Sequence, residues 1–209
     1  MGVYLWQEYS WTPWANTTMY YPFTSNYTDQ TWTTSINTSN VTITQSTTGY
    51  QFSISWNKEC SLANVSSSQV FVSYWFKVTT YSWTVQMVDA TKDFFYNYNH
   101  GTSSYSKTFE YYPQSWSSVR SSQINTSNDT WYHFAYGYDS NSWKILIYLN
   151  GSKVYEASAN APRTTTPRKL ISTASAVTVI FSELIGESVM WTAQEISDYY
   201  NWTKANYWL

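Results

Sequence analysis

The chain has 209 residues, of which 43% are hydrophobic and only 11% charged, with a formal net charge of −2. An ordinary soluble domain carries roughly 25% charged residues, and nucleic-acid binding needs a basic footprint that a weakly acidic chain without a Lys/Arg cluster does not supply. The longest apolar stretch, around Ala176 to Phe181, is far below the ~20 residues of a membrane-spanning helix.

Hydroxyl and aromatic residues fill the place of charges. There are 31 Ser and 28 Thr, and aromatics reach 21%, with 13 Trp, 21 Tyr and 9 Phe. The length suits one all-β domain spanning 1–209, because sandwiches of this size form single units. The start, MGVYLWQEYS, has neither the basic opening nor the apolar run of a secretory signal. The expectation is a leader removed before Met1, or release by another route, as for a virion component at lysis.

In chain order, residues 1–20 form an aromatic segment with Tyr4, Trp6, Tyr9, Trp11 and Trp14. A sandwich core with its closing helix is expected over 21–200. Tyr50, Phe52, Ile54 and Trp56 alternate with polar residues, the period of a half-buried strand. Val70, Val72, Tyr74, Phe76 and Val78 line one face of a strand whose other face opens with Phe71, Ser73 and Trp75, which places it centrally in a sheet. Trp83, Val85 and Met87 alternate again. Ser- and aromatic-rich segments then carry Tyr105, Tyr111, Tyr112 and Trp116, which read as rim or concave-face loops. Trp131 to Tyr138 is a further aromatic strand.

Lys144–Leu149, Asn150-Gly151 and Lys153–Ala157 form the clearest unit, a hairpin whose Asn-Gly pair suits a type I′ turn. Thr192-Ala-Gln-Glu195 matches a capping box, and Ile196, Tyr199 and Tyr200 follow on one helical face. A helix of about two to three turns is expected there. The tail, 201–209, ends in Tyr207-Trp208-Leu209. Aromatic termini of this kind are expected to tie one subunit to a neighbour.

Asn-X-Ser/Thr occurs at Asn16, Asn26, Asn37, Asn40, Asn64, Asn125, Asn128, Asn150 and Asn201, nine of the 15 Asn residues. The Ser/Thr content predicts roughly four by chance. Glycans on these side chains would also keep a chain with few charges in solution. Asn150 is the poorest acceptor, since it sits in a tight turn, and it is left out of the expected glycosylation set. Cys60 is the only cysteine, which excludes an internal disulfide and reads as a buried small hydrophobe.

These residues resemble a known family. Trp131-Tyr-His-Phe-Ala-Tyr, then Asp139, then Trp143-Lys-Ile-Leu-Ile-Tyr-Leu-Asn-Gly151 is similar to the central motif of laminin-G-like, concanavalin A-like jelly-roll domains. Tyr21-Pro-Phe with Asp29 resembles the family's opening strand, Ser73-Tyr-Trp-Phe-Lys77 a middle strand, and Ile185-Gly-Glu187 with Trp191 and Gln194-Glu-Ile196 its closing strand and helix. Gly186 stands where the family has Asp, and the link from Trp191 to the helix is shorter than usual. The resemblance implies a two-sheet antiparallel jelly-roll β-sandwich with one short C-terminal helix. It leaves function open, since the fold hosts lectins, glycosidases, adhesion modules and virion proteins.

Catalytic chemistry finds little support. Glycosidases of this architecture need carboxylates about 5–9.5 Å apart, whereas Asp89/Asp93 and Glu183/Glu187 are separated by four strand residues, about 13 Å. His133 reads as a structural histidine within the strand motif and His100 as a loop tip. Two histidines and one cysteine do not compose a zinc site. Asp139-Ser140-Asn141 offers alternating oxygens, so calcium near Asp139 is the one cofactor left open, although calcium needs six to eight oxygens and no further acid lies there.

Binding chemistry fits better. Trp and Tyr faces stack on sugar rings while Asn, Ser and Thr supply neutral hydrogen bonds; Trp83, Tyr105, Tyr111, Tyr112 and Trp116 are the candidate residues. A low-charge aromatic surface also suits packing against copies or other surface proteins. The expectation is a non-enzymatic, extracellular module of a virion or cell surface (a spike, turret or fibre component) serving assembly and host or glycan attachment. A secreted lectin-like domain is the alternative and a glycoside hydrolase the third reading.

Overall fold

The computed structural model describes residues 16–21, 35–37, 39, 41–46, 49–55, 58–63, 70–81, 85–89, 94–98, 108–111, 119–160, 168–173 and 177–207. Among them the strands are β1 (Thr17–Tyr21), β2 (Ser35–Asn37), β3 (Val41–Ser46), β4 (Gly49–Ile54), β5 (Glu59–Ala63), β6 (Phe71–Tyr81), β7 (Val85–Asp89) and β8 (Phe94–Tyr98). They continue as β9 (Thr108–Tyr111), β10 (Val119–Arg120), β11 (Tyr132–Asp139), β12 (Lys144–Leu149), β13 (Ser152–Ser158), β14 (Arg168–Thr173) and β15 (Val177–Glu187). The chain then closes with helix α1 (Ala193–Thr203) and a 3-10 turn, Lys204–Tyr207.

The strands form two antiparallel sheets. The first runs β13-β12-β11-β6-β15-β4-β3, with β1 paired to the second half of β15; the second runs β10-β9-β8-β7-β14-β5-β2. β6 lies between β11 and β15, as its two apolar faces require. The sheet ends at β13, where Glu156 takes Lys144 and Lys153; these charges discourage another strand from adding there.

Between the sheets, Phe52, Val72, Tyr74, Phe76, Phe134, Tyr136, Ile147, Val179 and Phe181 of the first sheet meet Cys60, Phe109, Tyr111 and Leu170 of the second. Tyr74 is central, with its ring 5.8–6.1 Å from those of Phe76, Phe134, Tyr136 and Phe181. Aromatic pairs in this geometry add about 0.5–1.5 kcal/mol each beyond area burial. Cys60 is fully buried, with its thiol toward the Asn37 carbonyl oxygen.

One irregularity decides what the outer face of the first sheet carries. Ser182 pairs with Trp75 and Ile185 with Ser73, so three steps on β15 match two on β6. The extra residue makes a bulge, with Glu183 at φ 51°. Val177, Val179 and Phe181 face the inter-sheet core before the bulge and Leu184 after it. Strict alternation would aim the Glu183 carboxylate into that core; the bulge turns it to the other face.

Both ends of the described chain pack on the first sheet. β1 begins at Thr17, inside the segment assigned to the N-terminal aromatic run, and its Thr17 hydroxyl bonds Glu187 at 2.9 Å. Helix α1 extends to Thr203, and Tyr207 of the expected tail is 3% exposed. Tyr207 docks on its own sheet. Residues 1–15, Trp208 and Leu209 lie outside the described residues.

Candidate functional site

The outer face of the first sheet holds a cluster of polar and ionisable side chains, Ser73, His133, Ser182, Glu183 and Glu187. Its cover is α1 and the 3-10 turn. The capping box forms as the sequence suggests: the Thr192 hydroxyl accepts from the Glu195 amide at 3.2 Å, and the Glu195 carboxylate accepts from the Thr192 amide at 2.7 Å. Trp191, immediately before the cap, packs on Phe71 at 4.9 Å and on Tyr199 at 5.4 Å. The short link from Trp191 thus fixes the helix hard against the sheet.

Trp75, on the outer side of β6, is the platform. Tyr207 stacks on it with centroids 4.1 Å apart, Tyr200 stacks at 5.7 Å, and its indole N–H donates to the Thr203 hydroxyl at 3.1 Å. Tyr200 also rests on Gly151, where any Cβ would come within 2.9 Å of its ring. The Asn-Gly turn therefore serves twice: both residues take positive φ, 49° and 76°, and the glycine leaves room for the helix.

Around this platform lie the chemical groups. The Ser73 hydroxyl and His133 Nε2 are 2.7 Å apart and both residues are fully buried. Burial lowers the imidazole pKa from 6.5 to about 3, so the ring is neutral at physiological pH. Its Nδ1 meets no hydrogen-bond partner among the described residues. The Tyr199 hydroxyl donates to Glu183 at 2.5 Å and the Tyr207 hydroxyl to Ser182 Oγ at 2.8 Å. Burial pushes both Glu183 and Glu187 up to about 7, and the bonds from Tyr199 and Thr17 offset this only in part. The Tyr199 and Tyr207 hydroxyls are raised well above 10, first by burial and then by the neighbouring Glu183 charge.

A serine hydrogen-bonded to a histidine suggests nucleophilic catalysis, and here the geometry argues against it. A general base should titrate near the working pH and carry an orienting partner on its other nitrogen. His133 is a far weaker base, lacks that partner among the described residues, and is roofed by Tyr199 and Tyr200 at 5.5 and 6.0 Å. The cluster joins helix to sheet.

The residues singled out from sequence fall elsewhere. Trp83, Tyr105, Tyr112 and Trp116 lie outside the described residues. Tyr111 is a correction: it is 1% exposed, its ring is in the inter-sheet core, and its hydroxyl donates to the Asn160 carbonyl oxygen at 2.6 Å. β9 alternates so that Phe109 and Tyr111 share the inner face, which leaves the Tyr111 ring no surface to offer a sugar.

Among the sequons, Asn16, Asn37, Asn125, Asn128 and Asn201 are exposed, while Asn26, Asn40 and Asn64 lie outside the described residues. The Asn37 side-chain oxygen accepts from the Ser39 amide, and that of Asn201 from Lys204. Asn150 is half-buried and its side-chain oxygen accepts from the His133 amide at 3.0 Å, as its place in the turn demands.

Asp139 organises the β11–β12 turn. Its two oxygens take the Asn141 amide at 3.0 Å and the Ser142 hydroxyl at 2.5 Å, and the hydroxyl bond in particular lowers its pKa. Both oxygens thus already have partners within the turn. No group of three His, Cys, Asp or Glu suited to a metal occurs among the described residues.

The same turn presents a residue that sequence reasoning passed over. Trp143 is 63% exposed and has φ 56°, a left-handed conformation that is a genuine outlier for so bulky a residue. In the sequence it is the opening residue of a strand motif. The available signal was its place directly after Asp139-Ser-Asn-Ser, a polar turn in which an indole has nothing to pack against.

No protein-family model matches the chain, and no curated protein matches it. Solved structures do. The binding domain of Paraclostridial Mosquitocidal Protein 1 superposes with a TM-score of 0.67 at 13% identity, over 89% of this chain and 52% of that one. The binding domain of botulinum neurotoxin DC, in complex with SialylT, gives 0.64 at 9% identity over 90% and 51%. The botulinum neurotoxin type G receptor binding domain gives 0.63 at 13% identity over 90% and 52%. The chain spans about half the length of these structures, and the likeness is one of fold.

Proposed function

We propose that this chain is a non-catalytic binding module working outside the cell, on a jelly-roll sandwich of the concanavalin A-like, laminin-G-like kind. The observation that carries the reading is the sealing of the Ser73–His133 pair: its imidazole titrates near 3 and both side chains are fully buried under the helix. The exposed residues of the β11–β12 turn, Ser140 to Trp143, instead offer hydroxyl, amide and indole groups, the chemistry of neutral ligand recognition. The fold likeness to binding domains of toxins, one of them in complex with SialylT, supports the same direction.

Within that reading the chain is a glycosylated surface component of a virion or cell, a spike, turret or fibre part, engaged in assembly and attachment to host glycans. Asn16, Asn37, Asn125, Asn128 and Asn201 are the acceptors that stand exposed. A secreted lectin-like domain needs the same binding surface without the assembly. No helix among the described residues is long and apolar enough to cross a membrane.

A glycan array read together with light scattering tests the proposal. Binding to defined oligosaccharides with no turnover is the expected result. Stable oligomers would favour the assembling component over the lone lectin. Hydrolysis of an oligosaccharide, or silence across the array, overturns the reading.

A further inference from the structure

We infer that Trp143 and the turn beneath it form the sugar-stacking platform of this module, and that its ligand is a neutral pyranose with an exposed C–H face. The inference rests on the glycan-binding reading above and assigns that reading a place.

Two independent features meet at Trp143. The residue is 63% exposed, the most open of the large hydrophobic residues among those described. Its backbone is left-handed at φ 56°, a state that disfavours a large L side chain and persists only where neighbouring groups enforce it. The enforcing groups are visible. Asp139 holds the turn from within through the Asn141 amide and the Ser142 hydroxyl, and the Trp143 carbonyl accepts from the Ala159 amide at 3.0 Å. The turn fixes a flat apolar plate in water, where a purely structural role would favour glycine and a buried role would place the ring inward.

The neighbouring chemistry selects the ligand. Ser140, Asn141 and Ser142, the three residues before the indole, are all exposed and carry neutral hydroxyl and amide groups, Ser142 as an acceptor because its hydroxyl donates to Asp139. Two charges flank the turn: the Asp139 carboxylate, held ionised by the Ser142 hydroxyl, and the Lys144 ammonium, tied to Glu156 at 2.9 Å. Each is engaged by its own neighbour, which favours an uncharged sugar. A neutral hexose laid with its C–H face on the ring, its hydroxyls toward Asn141 and the two serines, satisfies both parts.

The test uses the full chain on an array of immobilised neutral oligosaccharides ending in glucose, galactose or mannose, with sialylated counterparts alongside. Wild type should bind a neutral member. Trp143→Ala should lose at least about tenfold in affinity, and Trp143→Tyr, which keeps a ring, should stay within about threefold. Trp143→Gly relieves the left-handed strain: it should raise the thermal midpoint by about 2–4 °C while abolishing binding. A lowered midpoint in Trp143→Gly would mark the indole as structural and overturn the inference. Unchanged glycan binding by Trp143→Ala would overturn it as well and leave the glycan-binding reading standing. Preference for the sialylated set would overturn the ligand class, and a wild type that binds nothing overturns both proposals together.

Discussion

The eight-stranded sheet is buried on its inner face and, beneath α1 and the 3-10 turn, on its outer face, but in different chemistry. Toward the second sheet, Phe52, Tyr74, Phe76, Phe134, Tyr136 and Phe181 interlock as rings and aliphatics. Toward the helix, the aromatic platform of Trp75, Tyr200 and Tyr207 is interleaved with Ser73, His133, Ser182, Glu183 and Glu187. Hydrophobic burial has no direction and no dependence on protonation, whereas hydrogen bonds among buried ionisable groups have both. The inner face therefore sets how stable the sandwich is. The outer face sets under which conditions the helix stays in place.

The largest expected effect comes from the inner face. Phe76 is fully buried against Tyr74 at 5.8 Å and Phe134 at 4.9 Å. Phe76→Ala should cost about 3–5 kcal/mol by leaving a cavity in a core that cannot fully collapse. Urea unfolding at pH 5 and pH 8 should return the same loss. A loss that changed with pH would show that the two faces are coupled, and the contrast drawn here would fail.

The pH response of the wild type belongs to the outer face. Glu183, packed against Tyr199, Tyr207 and Tyr20, and Glu187, between Thr17 and Glu195, titrate near 7 when folded and near 4.5 otherwise. Between those values the folded chain keeps protons that the unfolded chain has released, so stability falls as pH rises from 4.5 to 7. His133 opposes this: folded it stays neutral down to about 3, so below 6.5 the unfolded chain binds the extra proton. Two carboxyls outweigh one imidazole, and the net gain on acidification from pH 7 to 4.5 should be roughly 2–4 kcal/mol. Below 4.5 the histidine and the depressed carboxylates Asp139 and Glu156 act among the described residues, and stability should fall again. Glu183→Gln leaves one carboxyl against one imidazole and should flatten the curve between pH 4.5 and 6.5. An unchanged slope in that variant would remove Glu183 from the account.

A smaller effect is expected at the end of the helix cover. Tyr207→Phe keeps the stack on Trp75 and removes only the hydroxyl that donates to buried Ser182 at 2.8 Å. The expected loss is about 1–2 kcal/mol, the cost of leaving a buried hydroxyl without that bond, and thermal unfolding of the variant checks it. A larger loss would mean that the ring itself had moved.

The strands and the start of α1 were legible because a period of two and a capping pattern are local signals. β6, β11, the Asn150-Gly151 hairpin and the Thr192–Glu195 box all form where their residues place them. The outer face was not legible, because its key facts are relations between distant segments. The bulge at Glu183 is set by pairing of β15 with β6, which a single strand's sequence does not encode. Tyr207 could be placed only once Trp75 was known to need a cover, 132 residues earlier in the chain. Tyr111 was misplaced for the converse reason: an aromatic among serines looks like a rim, and only the pairing of β9 shows which side its ring takes. Trp143 hid inside a strand motif, since the left-handed turn that exposes it follows from Asp139 bonding forward.

The smallest expected effect separates the helix itself from the face it covers. Thr192 and Glu195 exchange bonds in the open, at the exposed start of α1. Thr192→Ala removes the acceptor of the Glu195 amide, and capping losses of this kind are typically about 1 kcal/mol. Ile196, Tyr199 and Thr203 stay buried on the sheet whatever the cap does, so the loss should be confined to the first turn. Amide exchange should quicken near Glu195 and remain slow near Thr203, and Thr192→Ser should restore the wild-type pattern. Fast exchange along the whole helix would mean that the cap, and not the buried polar seam beneath it, is what holds α1 in place.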